Sequence, residues 1–131
     1  MEILFLIGRI LFGGYFIMNG INHLKNRSAL TGYAASKGVP SPNLAVIGSG
    51  LLILLGGLGV LLGVYTQISL WLIIIFLVPV SFKMHNFWTL SEPMPKMMDQ
   101  VHFMKNMALV GAALMMMFLS QPWVWNLPLN W

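Results

Sequence analysis

LLILLGGLGVLLGVYTQISLWLIIIFL, residues 51–77, decides the fold. Two apolar runs meet at Tyr65–Thr66 with almost nothing between them, so the elements they form must double back at once. Extended to Leu44 on one side and Phe87 on the other, each run approaches the roughly 20 helical residues that cross a hydrocarbon core of about 30 Å. Ile3–Asn22 and Val101–Leu119 have the same character. In lipid every backbone donor and acceptor must be satisfied within the chain, so runs of this kind are helices. One very short and two moderate connections then set neighbouring helices antiparallel. The expected fold is all-α: a single integral membrane domain over residues 1–131, a four-helix antiparallel bundle with spans Ile3–Asn22, Leu44–Val64, Gln67–Phe87 and Val101–Leu119.

Composition agrees, since 58% hydrophobic and 8% charged residues in 131 lie far from the soluble range. The first run lacks a basic leader and a small-residue cleavage site, so it reads as a retained helix. With no cysteine, the chain has no disulfides, thiolate metal sites or thiol redox chemistry of its own. The net charge of +4 reads as topology and not as a nucleic-acid surface. Lys25, Arg27 and Lys37 lie between the first two spans, and Lys83, Lys96 and Lys105 surround the third connection. The other side has only Arg9, inside the first span. The positive-inside rule therefore places the long loops in the cytoplasm and both termini outside the cell membrane. Trp123, Trp125 and Trp131 in the tail suit the headgroup zone.

Small residues mark packing faces. Ser49, Gly56 and Gly63 are seven apart, Gly59 and Gly63 form a GxxxG step, and Ala108 and Ala112 offer the same on the last span. Pro79 is expected to kink its helix. In KGVPSPN, residues 37–43, Gly38 permits an unusual backbone angle, Pro40 and Pro42 hold the chain extended, and Ser41 or Asn43 is placed to cap the next helix. TGYAAS before it reads as a short interfacial helix.

Polar groups at bilayer depth need a partner or a wet cavity. Arg9, Gly13, Phe16, Gly20 and His23 share one stripe at helical spacing, with Asn19 beside it. His102, Asn106, Leu109 and Ala113 align likewise, with Lys105 at the edge, and the third span ends in KMHNFW, residues 83–88. By depth, Asn19, Asn22, His23, Lys83, His85, Asn86, His102, Lys105 and Asn106 converge on the cytoplasmic boundary, which predicts a polar chamber at that mouth of the bundle. The bland alternative is snorkelling and ordinary interfacial polarity. Arg9 stands apart, roughly 10 Å deep at 1.5 Å per residue. No acid in another span faces it, so it snorkels, donates to free carbonyls, or meets an anionic or quinone-like ligand. A copper site from Met94, Met97, Met98 and Met104 near His102 is poorly specified, because methionine is a general gap-filler. Zinc on His23, His85 and His102 lacks any tight spacing, so no metal is expected.

GRILFGGYFIMNGINHL (8–24), GYAASKGVPSPN (32–43), LLILLGGLGVLLG (51–63), HNFW (85–88) and above all HFMKNMALVGAAL (102–114) resemble the DoxX family of small four-helix membrane proteins. The resemblance runs from about Gly8 to Leu119, with Arg9, Gly20, His85, Lys105 and Asn106 at positions of the family pattern. It implies association with redox enzymes, since the family is named after a subunit of a thiosulfate:quinone oxidoreductase. Many relatives place a glutamate where this chain has Ile53, which removes a carboxylate that could handle protons.

The expected function is thus a membrane subunit or anchor of a redox or detoxification system, not a self-sufficient enzyme. The sequence leaves the cofactor open, with a quinone-like molecule as the candidate, and the residues placed to hold it are Arg9, Phe16, Asn19, His23, Lys83, His85, Asn86, His102, Lys105 and Asn106. Its expected partners are membrane lipids, a redox enzyme and a second copy of the chain, with no nucleic acid. The alternatives are an assembly protein that docks partner helices on its glycine stripes, and a small-molecule transporter.

Overall fold

The computed structural model describes residues 1–129, so Trp131 lies outside the described residues. Five α-helices follow in order: α1 Glu2–Lys25, α2 Arg27–Ser36, α3 Pro42–Leu62, α4 Thr66–Met84 and α5 Pro93–Met116, with a 3-10 turn at Phe87–Thr89. No strand occurs among the described residues. Three segments are long and apolar enough to cross a membrane: Glu2–Lys25, Pro42–Leu62 and Thr66–Thr89.

The turn that decides the fold is built from two left-handed residues, Gly63 at φ 69° and Tyr65 at φ 46°. The Gly63 and Val64 amides both return to the Gly59 carbonyl, closing α3 before α4 begins at Thr66. Gly38, at φ 73°, supplies the left-handed angle after α2. Ser41 sits at the N-cap of α3 but its hydroxyl makes no capping bond, because its φ of 46° departs from the extended geometry that capping needs. Pro42 starts the helix instead, where its missing N–H has no intrahelical partner to lose. TGYAAS lies inside α2.

Several boundaries differ from expectation. α5 begins at Pro93 and not at Val101, because prolines are favoured in a first turn and polar residues continue the helix beyond the apolar run. Near Met117 the chain tightens, and Gln67 Nε2 donates to the Met117 carbonyl at 2.7 Å, closing that end. α4 stops at Met84, so His85 and Asn86 lie on a break before the 3-10 turn. α4 runs on through Pro79.

Packing depends on the small residues, but with a different division than their spacing suggests. Gly57 meets Gly13, and Gly20 meets Gly50 and Leu54, which sets α1 and α3 antiparallel at backbone distance. A Cβ on Gly57 would stand 2.7 Å from the Gly13 carbonyl oxygen. Gly56 and Gly59 face the other way, onto Ser69 and Ile73 of α4. In lipid, close van der Waals approach of this kind replaces the hydrophobic drive of a soluble core. Gly59 and Gly63, the step expected to dock a partner, are therefore used inside the chain. On α5 the buried small residue is Ala113, while Ala108 is exposed. Phe16, Ile53, Val60, Leu70, Ile73, Leu77, Ala113 and Trp123 form one core. Trp123, expected among headgroups, is 2% exposed and packs edge-on against Phe5 at 5.3 Å, whereas Trp125 is half exposed. Ala34, Val46 and Met84 form a second, smaller core under α2.

Candidate functional site

The two ends of the molecule treat their polar groups differently. At the α3–α4 turn, Arg9 is 1% exposed. Its Nε donates to Val60 O at 3.1 Å, Nη2 to Leu61 O at 2.6 Å and more weakly to Trp125 O, and Nη1 to Val124 O at 2.5 Å. Phe5 and Trp123 flank the guanidinium, each ring centre 5.9 Å away. The carbonyls of Gly59, Val60, Leu61 and Leu62 are the four that an α-helix leaves unpaired at its end. Gly59 takes the turn amides, Arg9 takes the next two, and the Leu127 amide takes Leu62 at 3.0 Å. Arg9 is thus a buried C-terminal cap for α3, in the place where the helix dipole favours a cation. Of the three roles open to it in the sequence, donation to carbonyls is the one the geometry uses. Phe16, 1% exposed, is a core residue beside Phe12 and Tyr15.

At the opposite end the polar residues divide into two groups instead of lining one chamber. The first surrounds Asp99, which is 8% exposed. Lys37 Nζ lies 3.2 Å from Oδ2 and His85 Nδ1 lies 3.1 Å from Oδ1, tying the α2–α3 connection and the end of α4 to α5. His102 stacks on His85 with ring centres 5.0 Å apart and planes tilted 32°. Burial alone would raise the Asp99 carboxyl, but the hydrogen bonds and charges of His85 and Lys37 prevail and hold it below the usual carboxylate range. The second group borders a cavity of about 440 Å³ between α2, α3 and α4. His23 and Lys83 line it together with Tyr33, Leu52, Phe76 and Pro79, and the walls are mainly apolar.

The remaining predicted residues serve locally. Asn19 Nδ2 donates to the Tyr15 carbonyl at 2.8 Å, and the Asn86 carbonyl accepts Thr89 Oγ1 at 2.8 Å. Lys105 Nζ stands 5.4 Å from the centre of the Tyr15 ring, so its charge rests on an aromatic face between α5 and α1. Asn106 is buried at 5% exposure. Among the described residues no three His, Asp or Glu side chains form a group that could hold a metal.

Sequence reasoning passed over Asp99 and Lys37. The signal was present, because Asp99, His102 and Asn106 are three and seven apart, on the same α5 stripe as Ala113. Stopping the span at Val101, where hydropathy falls, cut Asp99 off from it.

The model of the DoxX family matches residues 4–86, well over half of the chain. The chain belongs to the DoxX family. It is a multi-pass membrane protein. No curated protein and no solved structure gives a significant match. The family match ends at Asn86, short of the HFMKNMALVGAAL stretch (102–114) that carried most of the resemblance, so the shared region covers the cavity walls and Arg9 but not α5.

Proposed function

We propose that this DoxX-family protein is a membrane subunit or anchor of a redox or detoxification system, and that it holds a quinone-like molecule in the cavity between α2, α3 and α4. The supporting observation is the cavity itself. Its volume lies within the range of small-ligand sites, roughly 300–1,000 Å³, and apolar walls with a few polar groups are the usual lining. Tyr33 and Phe76 offer flat aromatic faces, and His23 and Lys83 supply polar contacts. In this reading α5 from Val101 onward is the fourth crossing of an antiparallel four-helix bundle, with its polar first turns, Asp99 among them, outside the span. The α2 and α4–α5 connections lie in the cytoplasm with both termini outside, as the lysines suggest. Electron-transfer chemistry belongs to a partner enzyme.

Gly48 tests the proposal, since it lines the cavity and a Cβ there meets nothing within 4 Å. Protein purified in mild detergent is expected to yield a quinone on solvent extraction. Gly48→Phe is expected to abolish the yield while helical content and thermal unfolding stay unchanged. Wild-type protein that carries neither a quinone nor its quinol, and binds neither on addition, would refute the proposal.

A further inference from the structure

His23 carries the inference. Its Nδ1 lies 2.8 Å from the Asn19 carbonyl oxygen, one turn back on α1. A carbonyl oxygen only accepts, so the ring proton is on Nδ1 and the neutral ring presents a bare lone pair at Nε2. His23 lines the cavity, with its ring edge-on to Phe76 at 5.7 Å and 80°. Ser49 and Lys83, which also line the cavity, do not substitute for it at this level. Ser49 Oγ donates to the Val46 carbonyl of its own helix at 3.1 Å. Lys83 is seven residues beyond Phe76 on α4, roughly 10 Å along the axis at 1.5 Å per residue. At the level of Phe76 the cavity therefore offers an acceptor beside an aromatic ring.

An acceptor discriminates between redox states. A quinone oxygen has only lone pairs, so it would face the Nε2 lone pair and lose its hydration without compensation. A phenolic or quinol hydroxyl donates instead. We infer that the cavity selects the hydroxylated form, a lipophilic phenol or quinol whose O–H donates to His23 Nε2, over the corresponding quinone. This rests on the proposal that a quinone-like molecule occupies the cavity. It adds which redox state is bound and which atom selects it.

The test uses full-length protein in phosphatidylcholine nanodiscs, in buffer of about pH 8, above the ordinary imidazole range. Naphthol, its methyl ether and naphthoquinone are partitioned into these discs and, for subtraction, into protein-free discs. Naphthol is expected to bind about tenfold more tightly than either of the others. His23→Phe, which keeps a ring against Phe76, is expected to bring naphthol down to the ether. Naphthol and ether binding alike to the wild-type protein, or naphthoquinone binding more tightly than naphthol, would overturn the inference; that comparison needs no variant to fold. If naphthoquinone binds and naphthol shows no advantage, the cavity proposal stands and the selection fails. If none of the three exceeds protein-free discs, both fall.

Discussion

Arg9 and Lys83 are both cations at the ends of long helices, yet the molecule treats them in opposite ways. Arg9 is enclosed, and four backbone carbonyls from α3 and the tail receive its donors. Lys83 is exposed beside an apolar cavity, with Nζ over Gly38. The difference is one of satisfaction. Where the helix end is buried, the chain must supply every partner itself. Where the end opens on a cavity, polar groups keep capacity for something else. The first arrangement holds the fold together; the second leaves room for a ligand.

Substitutions should separate these ends by their effect on stability. Arg9→Met keeps the apolar length but strips the cap, and unfolding in detergent is expected to show a loss of about 3–5 kcal/mol, the scale of removing several charged hydrogen bonds at once. An unchanged midpoint would mean that the carbonyls find other donors and that the two ends are alike. Gly57→Ala probes the seam nearest that end, where the neighbour is the Gly13 backbone and cannot yield; overpacking there should cost about 1–3 kcal/mol by the same measurement. Asp99→Asn is expected to cost only about 1 kcal/mol, since its partners keep partial access to solvent.

The acid variant also sharpens the comparison through pH. A carboxyl held low in the folded state contributes its stability above the unfolded carboxylate value, about 4, and loses it as pH falls through the folded value. Wild-type stability should therefore drop more steeply than that of Asp99→Asn on acidification below about pH 4. Identical acid limbs in the two proteins would show that the Asp99 pairing does not form in the folded protein. Smallest of all, Lys83→Gln should change the unfolding free energy by less than about 0.5 kcal/mol, as exposed positions do. A larger loss would move Lys83 to the structural side of the comparison.

Much of this was legible in the residues. Helical spacing picked out Arg9, Gly13, Phe16, Gly20 and His23 as one face; the first four are buried and His23 is half-buried. Of His102, Asn106, Leu109 and Ala113, read the same way, Asn106 and Ala113 are buried and the other two are half-buried. What spacing cannot report is a partner that has no side chain. The carbonyls of Val124 and Trp125 accept from Arg9 whatever residues stand there, and the tail that supplies them has no periodicity to read. Nor does hydropathy register a pair such as Lys37, in the α2–α3 connection, and Asp99, in the polar first turns of α5, which meet only because α2 folds back over α3. The cavity was out of reach for the same reason, because α2 builds one of its walls.

The Arg9 cap carries a consequence for biogenesis. One of its acceptors, Val124, lies 115 positions downstream. While the ribosome is still making the rest of the chain, the first helix must wait in the translocon or the bilayer with a cation that has not met its final ligands. Closure comes only when the last segment emerges, so a nascent chain stalled before Val124 should be held by the insertion machinery or degraded.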